Sequence, residues 1–425
     1  DFGGGGEDFT AGMDAFGFSG GSSYNMEMLN FQRENDITET RPPDGMALGS
    51  TPSGINYRIK NGTSTLRASL VFGLGTKELF NVNGEMMVTF NGGGVEKILI
   101  GGDGRMFGSP GSNGMLNGGF RIEYDFPQKI LALHIDMTMN FVVITGRGSL
   151  DTYSNGTNGD WHFKLGRPKT YGHPMSLTFE MGLPLKITAS GYFQAGNFEV
   201  DGLPTVLPEV MMRLFPDYAT RYGRTDRSRT QRGDAILLGM SLEASFEQNY
   251  LIFYGRLRGA FGFDLLLQKV QGGCNGLDKV GMDGWYGNGQ FYAGIEASIG
   301  IEVDLFFISG KFEILAVGFG GLLTGGGPEP TWMKGEVGGF YSILGGLVEG
   351  HCSFDFSVGQ ICVPSNDPLA ALKVINEIEP KPRSQVDPQV DELQEIFLEP
   401  AASVNLRMGR EFFLEETKVV NDQAQ

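Results

Sequence analysis

Few residues that could support catalysis or metal binding occur at informative spacings in this chain. His134 lies two residues before Asp136 in LALHIDM, so in a strand the two side chains share a face and could bind a metal or relay a proton. Carboxylate pairs with same-face spacing could suggest glycoside hydrolysis; they are Glu302 with Asp304, and Glu243 with Glu247. Such pairs are more typical of a solvated polar face, so neither pattern predicts a catalytic site.

Several motifs that carry metal or redox chemistry are absent from the sequence. It contains no C-x-x-C, no H-E-x-x-H and no EF-hand loop. We therefore predict that the chain is not an enzyme, and that it has no catalytic residues, no metal ligands and no bound cofactor.

Three cysteines raise the question of a disulfide. Cys352 and Cys362 lie close together in a strand-like region, which makes them a disulfide candidate, with Cys274 left over. A bridge needs Cα atoms within about 7 Å, whereas ten residues of straight strand span about 33 Å. This bridge therefore requires a turn near residues 357–359. Buried reduced thiols are the alternative, and all three pairings stay open.

A cluster of arginines stands out in an acidic chain. The net charge is −17, which makes nucleic acid an improbable partner because its phosphates would be repelled. The polar stretch RYGRTDRSRTQRGD is an interaction-loop candidate for an acidic partner or anionic lipid, and a solvated loop is the alternative. Its arginines are Arg221, Arg224, Arg227, Arg229 and Arg232.

Apolar residues alternate with polar or small residues over most of the chain. From Phe291 to Leu305 every odd position is apolar, while the even positions carry Tyr, Gly, Glu, Ser and Asp. Similar runs recur between about residues 64 and 363, separated by turn sequences such as NGGG and YSNGTNG. Short turns between strands make neighbours antiparallel. We predict an all-β fold of long-stranded antiparallel sheets packed as a large layered sandwich.

Changes in composition divide the chain into four parts. Residues 1–60 mix glycine with isolated Phe and Met and predict an irregular Gly-rich arm, and residues 64–363 form the large antiparallel β domain. Residues 364–400 predict a short helix over 368–378 and an acidic Pro-rich linker. Residues 401–425 predict the start of a further β module. Inside the β domain, LPEVMMRLF at 207–215 predicts one short helix.

A sheet with one apolar face has two physical solutions. Two sheets can press their apolar faces together, or one sheet can close with its apolar side chains in lipid. Aromatic residues fall in the middle of the runs as often as at their ends, which favours apolar faces turned inward onto protein. Glycines on the polar face predict a covering segment, such as the N-terminal arm; they are Gly294, Gly300, Gly318, Gly320, Gly338 and Gly345.

One long run resembles a known group of proteins. GMDGWYGNGQFYAGIEASIGIEVDLFFISGKFEIL, followed by PTWMKGEVGGFYSILGGLVEGHCSFDFSVG, is similar to large envelope or secreted proteins of Bacteroidota, and the resemblance covers about residues 281–359. It implies export to the periplasm or cell surface, and a link to the type IX secretion apparatus as a cargo or a docking protein. It implies no catalytic residue.

These observations predict a non-enzymatic structural or interaction protein of the bacterial cell envelope. Its expected partners are other envelope or secretion-system proteins, with membrane association through those partners and no nucleic acid. The alternatives are an outer-membrane β-barrel or channel component, and a secreted carbohydrate-binding module. The sequence leaves the oligomeric state open.

Overall fold

A computed structural model describes most of the chain up to residue 359 and two short pieces beyond it. The described residues are 7–10, 13–28, 57–74, 79–108, 114–170, 172–180, 184–200, 203–216, 218, 231–270, 280–305, 308–359, 375–379 and 403–406. They divide into two compact units, one built from residues 1–270 and 280–362 and the other from residues 271–279 and 363–425.

The described residues form long strands and one short helix. The strands before the helix are β1 Glu7–Thr10, β2 Met13–Met28, β3 Tyr57–Leu74, β4 Phe80–Asn91, β5 Gly94–Met106, β6 Leu116–Asp125, β7 Ile130–Asn140, β8 Ile144–Asn155, β9 Trp161–Leu165, β10 Met175–Glu180 and β11 Leu185–Val200. The helix is α1 Glu209–Leu214. The strands after it are β12 Gln231–Tyr250, β13 Phe253–Lys269, β14 Trp285–Leu305, β15 Ile308–Gly327, β16 Trp332–Ile343, β17 Val348–Gly359, β18 Ile375–Glu379 and β19 Ser403–Leu406.

Strands β1 to β17 belong to one antiparallel sheet in which most neighbours in the chain are hydrogen-bonded neighbours in space. Only β9 and β10 depart from this order, because each of them pairs with both β8 and β11 at a different level along the strands. Glycine-containing turns connect several neighbouring strands. Between β4 and β5, the Asn91 side-chain oxygen accepts a 2.8 Å hydrogen bond from the Gly93 N–H. The predicted all-β, antiparallel, long-stranded fold class is confirmed.

The helix lies on one face of this sheet. Val210, Met211 and Leu214 of α1 are buried together with Phe215 and Tyr218 in a single apolar cluster. The sheet residues of that cluster come from β13, β14, β15 and β16, and they are Ala260, Tyr292, Ala316, Leu322 and Phe340. We name this the covered face of the sheet, and the opposite side the open face. The helix predicted over residues 207–215 is confirmed.

A row of small residues provides the seat for the helix. Ala260, Gly294, Gly320 and Gly338 lie directly opposite one another across β13 to β16. A Cβ added at Gly294 or Gly320 would lie 2.7 Å from an atom of α1, and one added at Gly338 would lie 3.0 Å from the ring of Phe215. The glycine row therefore lets the helix approach the backbone of the sheet.

The prediction of a segment covering the polar-face glycines is confirmed for Gly294, Gly320 and Gly338. The covering segment is α1 with its flanking residues, and not the N-terminal arm that the sequence suggested. Gly300 and Gly318 lie under the aromatic rings of Tyr254 and Phe340 instead, so side chains of the sheet itself fill the space above them.

The expectation that the apolar side chains face inward is wrong on β14. Phe291, Ile295 and Ile299 are 43%, 51% and 53% exposed, whereas Glu296 on the other side of the same strand is 1% exposed. The reason is that α1 and its flanking residues cover the face that carries the glycine and polar residues of β14. Because side chains alternate between the two faces of a strand, the apolar residues of β14 lie on the open face.

Two local predictions are also corrected. Residues 7–10 and 13–28, expected in an irregular arm, form β1 and β2, and β3 begins at Tyr57. Hydrogen bonding to β3 holds β2 extended although its glycines and serines hide the alternation. Residues 375–378, expected at the end of a helix, lie in β18, where pairing with β19 overrides local helix propensity. Strand β19 lies at the start of the predicted further β module.

Adjacent glycines on β15 provide a test of the seat. Gly320 faces Leu214 of the helix, while a Cβ at Gly321 would meet only ordinary contacts at 3.7 Å and beyond. Gly320→Val should lower the free energy of unfolding by about 1–3 kcal/mol, because the added side chain would overlap both Leu214 of the helix and the backbone of β14 at Ala293. Gly321→Val should change it by less than about 0.5 kcal/mol, as surface substitutions usually do. Equal losses of unfolding free energy for the two variants, measured from urea-unfolding curves, would contradict the close contact between the helix and the glycine row.

Candidate functional site: two unlike faces of one sheet

Large apolar side chains are exposed along the open face from strand to strand. The register of the ladders places them on the same side of the sheet, since each lies opposite another open-face position. Examples from β4 to β17, in chain order, are Met86, Ile100, Ile122, Ile135, Leu242, Phe261, Phe291, Val317, Val337 and Phe354. Soluble monomers rarely expose contiguous apolar patches larger than a few hundred Å². The open face is therefore a surface that needs an apolar partner.

The covered face carries charge beneath the helix. Glu296 of β14 accepts a hydrogen bond from Nη1 of Arg213, a residue of α1. The Nη2 of the same guanidinium donates at 3.2 Å to Oε1 of Glu313 on β15. Its carbon also lies 4.7 Å from the ring centre of Phe340. Because Glu296 is almost fully buried, Arg213 supplies the charge that makes its burial tolerable.

A second polar network ties the residues before α1 to the sheet. The side-chain amide of Gln290 donates to the backbone oxygen of Pro204 at 3.0 Å and to Oδ2 of Asp264 at 2.7 Å. Tyr192 donates to the other oxygen of Asp264, and Tyr218 donates to the side-chain oxygen of Gln290. Strands β11, β13 and β14 thus hold the segment on both sides of the helix through buried side chains that satisfy one another.

The start of the helix is held at the surface. Arg258 of β13 donates at 2.7 Å to Oε1 of Glu209, the first residue of α1, whose side chain is mostly exposed. A carboxylate in the first turn is also favoured by the free N–H groups there. The helix is thus fixed by one buried charge contact near its end and one exposed contact at its start.

Three of the four candidate carboxylates accept hydrogen bonds from neighbouring side chains. Glu243 accepts from Lys169 at 2.6 Å, and Glu247 accepts from Arg256 at 2.7 Å and from Lys311. Glu302 accepts from the side-chain amide of Asn249 at 2.8 Å. The side chain of Asp304 lies outside the described residues.

The candidate histidine pair shares a face as predicted, but the two groups do not make a close contact. Nε2 of His134 lies 3.8 Å from Oδ1 of Asp136, and both side chains are exposed. This distance is too long for a hydrogen bond. Among the described residues, no group of three or more His, Cys, Asp and Glu side chains could hold a metal ion.

The predicted disulfide is not formed at Cys352, which is an exposed free thiol on β17. Strand β17 stays paired with β16 as far as Gly359, so the turn that a bridge to Cys362 needs does not occur before that residue. Cys362 and Cys274 lie outside the described residues. The same holds for the candidate interaction loop: Arg221, Arg224, Arg227 and Arg229 are not described, and Arg232 is described only as a backbone position in β12.

Sequence reasoning missed Arg213 and its acidic partners. A signal was present, because Arg213 is the single cation inside the otherwise apolar helix sequence VMMRLF. Glu296 lies on a polar face where its neighbours Gly294 and Ser298 are small. A lone cation on an apolar helix and a carboxylate among small residues are complementary, but their separation in sequence concealed the contact.

Comparisons with known proteins do not assign the chain to a group. No protein-family model matches it, and neither a curated protein nor a solved structure does.

No helix in the described ranges has both the length and the apolar character needed to span a membrane.

The buried charge contact predicts a large effect of removing Arg213. Arg213→Leu leaves Glu296 buried without its cation and should cost roughly 3–5 kcal/mol of unfolding free energy. The double variant Arg213→Leu with Glu296→Gln should recover at least half of that loss. Lys186→Met, which breaks the exposed 3.7 Å pair with Glu180, should cost less than about 1 kcal/mol. Equal costs for Arg213→Leu and Lys186→Met in denaturant titrations would contradict the contact.

Proposed function

We propose that the chain is a structural component of a cell-envelope membrane, in which the antiparallel sheet forms a wall with its open face against lipid. The observation that carries this proposal is the inversion of the usual burial on β14, where Phe291, Ile295 and Ile299 are exposed and Glu296 and Ser298 are buried. A sheet in water gains free energy by the opposite arrangement, because burial of apolar area is the main driving force for folding.

The length of the apolar run on the open face supports a membrane setting. On β14 the alternation of apolar residues extends from Phe291 to Leu305. This run exceeds the about 9–11 residues that a tilted strand needs to cross the hydrocarbon layer, so the strand is long enough to cross it. Backbone groups within the sheet are paired by the ladders, which is the condition for a strand to lie in lipid.

The covered face supports a polar interior on the other side of the wall. Its buried polar residues include Ser190, Asp264, Gln290, Glu296, Ser298, Thr324 and Ser342. Strands that cross a membrane alternate apolar residues toward lipid with polar residues toward the interior of the protein. The α1 segment then lies on the interior side, where it closes part of the polar surface.

A sheet that forms such a wall combines two of the functions that the sequence suggested. A wall component is a structural envelope protein, as the resemblance to Bacteroidota envelope proteins implies, and it is also the membrane-embedded alternative. On the open face, Phe261 and Phe291 contact each other edge-on, at 5.3 Å between ring centres, and stay exposed.

Neighbouring positions on β7 provide the test. Met137 and Thr138 are both exposed but lie on opposite faces of the strand. Met137→Cys and Thr138→Cys, each in a variant with all three native cysteines replaced by serine, are labelled with an environment-sensitive fluorophore and reconstituted into phosphatidylcholine vesicles. The label at position 137 should be quenched by nitroxide-bearing lipids and the label at 138 by aqueous iodide, each with at least a threefold preference.

Two results would contradict the proposal. One is equal quenching of both labels by iodide. The other is a folded chain that stays in the aqueous fraction when vesicles are floated through a density gradient. Circular dichroism of each labelled variant serves as the folding control, because a misfolded chain would expose both labels equally.

A further inference from the structure

We infer that the lipid-contacting band of the sheet reaches one edge only. The hairpin turns of that edge lie where acyl chains meet headgroups, and the opposite edge projects into water. Because the sheet is proposed to be a membrane wall, this placement rests on that proposed function. Neighbouring antiparallel strands reverse direction, so successive turns lie at alternate edges and each turn can be assigned to one of them.

The turns at one edge are apolar and exposed. They are FVV between β7 and β8, LI between β12 and β13, and LGGL between β16 and β17. Val142 is 93% exposed, Leu251 85% and Leu347 77%. We name this the apolar edge. The name applies from β7 onward, because the turns after β3 and β5 carry the polar sequences GTKE and SPGSN.

The described turns at the opposite edge are polar. Gln128 and Lys129 are exposed between β6 and β7, and Thr157 and Asn158 between β8 and β9. Between β15 and β16 the exposed residues include Glu329. We name this the polar edge. Its side chains are those that water solvates well, whereas the apolar edge leaves large hydrocarbon side chains without cover.

The backbone of the apolar turns does not require leucine. Leu251 and Leu344 have φ angles of 55° and 54°, in the left-handed region that glycine and asparagine adopt most easily. Lys129 at the polar edge has a φ of 52°. The same backbone conformation therefore carries leucine at one edge and lysine at the other, so the surroundings of the two edges are what differ.

The apolar band of the open face also stops short of the polar edge. Apolar residues on β14 and β15 continue toward the polar edge as far as Phe291 and Leu323, which lie opposite each other. The open-face positions that follow are glycines, namely Gly287, Gly289, Gly325 and Gly327. Toward the apolar edge the band continues into the turns, where Phe253 and Ile343 are exposed.

Strand length makes such an offset necessary. Strand β13 has 17 residues, whereas a tilted strand needs about 9–11 to cross the hydrocarbon layer. Part of the strand must then lie outside the lipid, and the polar edge is the part whose residues suit water. The apolar turns are compact, since Phe141 and Ile144 exchange both backbone hydrogen bonds and Tyr250 pairs with Phe253. Few backbone groups are then left to be hydrated at the lipid boundary.

The two ends of β13 provide the first test. Leu251 precedes the strand at the apolar edge, and Lys269 is exposed at its other end. Leu251→Cys and Lys269→Cys, each without the three native cysteines, carry an environment-sensitive fluorophore in phosphatidylcholine vesicles. The label at 251 should be quenched roughly threefold more by lipids with a nitroxide near the headgroup than by aqueous iodide. The label at 269 should show the reverse preference.

Asparagine substitutions provide a matched pair at equal backbone conformation. Leu251→Asn suits the local φ angle but removes the apolar contact, so it should leave folding in detergent intact and weaken membrane binding. At the urea concentration where half of the unsubstituted chain floats with vesicles, its ratio of bound to free chain should fall roughly tenfold. Lys129→Asn at the polar edge should leave that ratio unchanged. Circular dichroism in detergent serves as the folding control.

The outcomes separate this placement from the proposed function. Equal quenching profiles at 251 and 269, or equal losses for Leu251→Asn and Lys129→Asn, would overturn the offset band even if the label at Met137→Cys reports lipid. Iodide quenching at 251 with lipid quenching at 137 would leave the apolar turns to a protein partner and would also overturn it. Iodide quenching at both 137 and 251 would refute the membrane wall, and the offset band with it.

Discussion

The close contact between α1 and the row Ala260, Gly294, Gly320 and Gly338 decides which face of the sheet is covered. Side chains on a strand alternate between two faces, so a helix that covers the glycine face of β13 to β16 leaves their apolar residues on the opposite face. The small residues lie on the same face as Glu296 and Ser298, and the helix lies above them. The apolar residues of these four strands therefore lie on the open face.

The charge contacts follow from the same placement. A helix seated on glycine lies close enough to the sheet for Arg213 to reach Glu296 and Glu313, on two neighbouring strands. Burial of a carboxylate is costly unless a cation and hydrogen bonds compensate for it. Glu296 therefore couples the position of the helix to the register of β14 and β15. The network around Gln290 has the same role for the residues that lead into the helix.

Much of the fold could be predicted from the sequence, because the alternation of a strand and the start of a helix are each visible within a short stretch of residues. Alternation from Phe291 to Leu305 predicted a long strand, and the prolines before VMMRLF predicted the beginning of a helix. The choice of face could not be predicted, since a period of two is the same whether the apolar side chains meet protein or lipid. Strand β2 was missed because glycine and serine carry little alternation, and its pairing with β3 determines its conformation.

The site was harder to predict than the fold because its contacts join distant parts of the chain. Arg213 and Glu296 are 83 positions apart in sequence, and only the sheet register brings them together.

The central claim is that the open face contacts lipid, and the mass of detergent bound per folded chain tests it most directly. Size-exclusion chromatography with light-scattering and refractive-index detection measures that mass. A chain whose open face contacts lipid should carry a belt of bound detergent and should precipitate when detergent is removed. A monodisperse chain that binds no detergent and keeps its near-ultraviolet circular dichroism in plain buffer would contradict it.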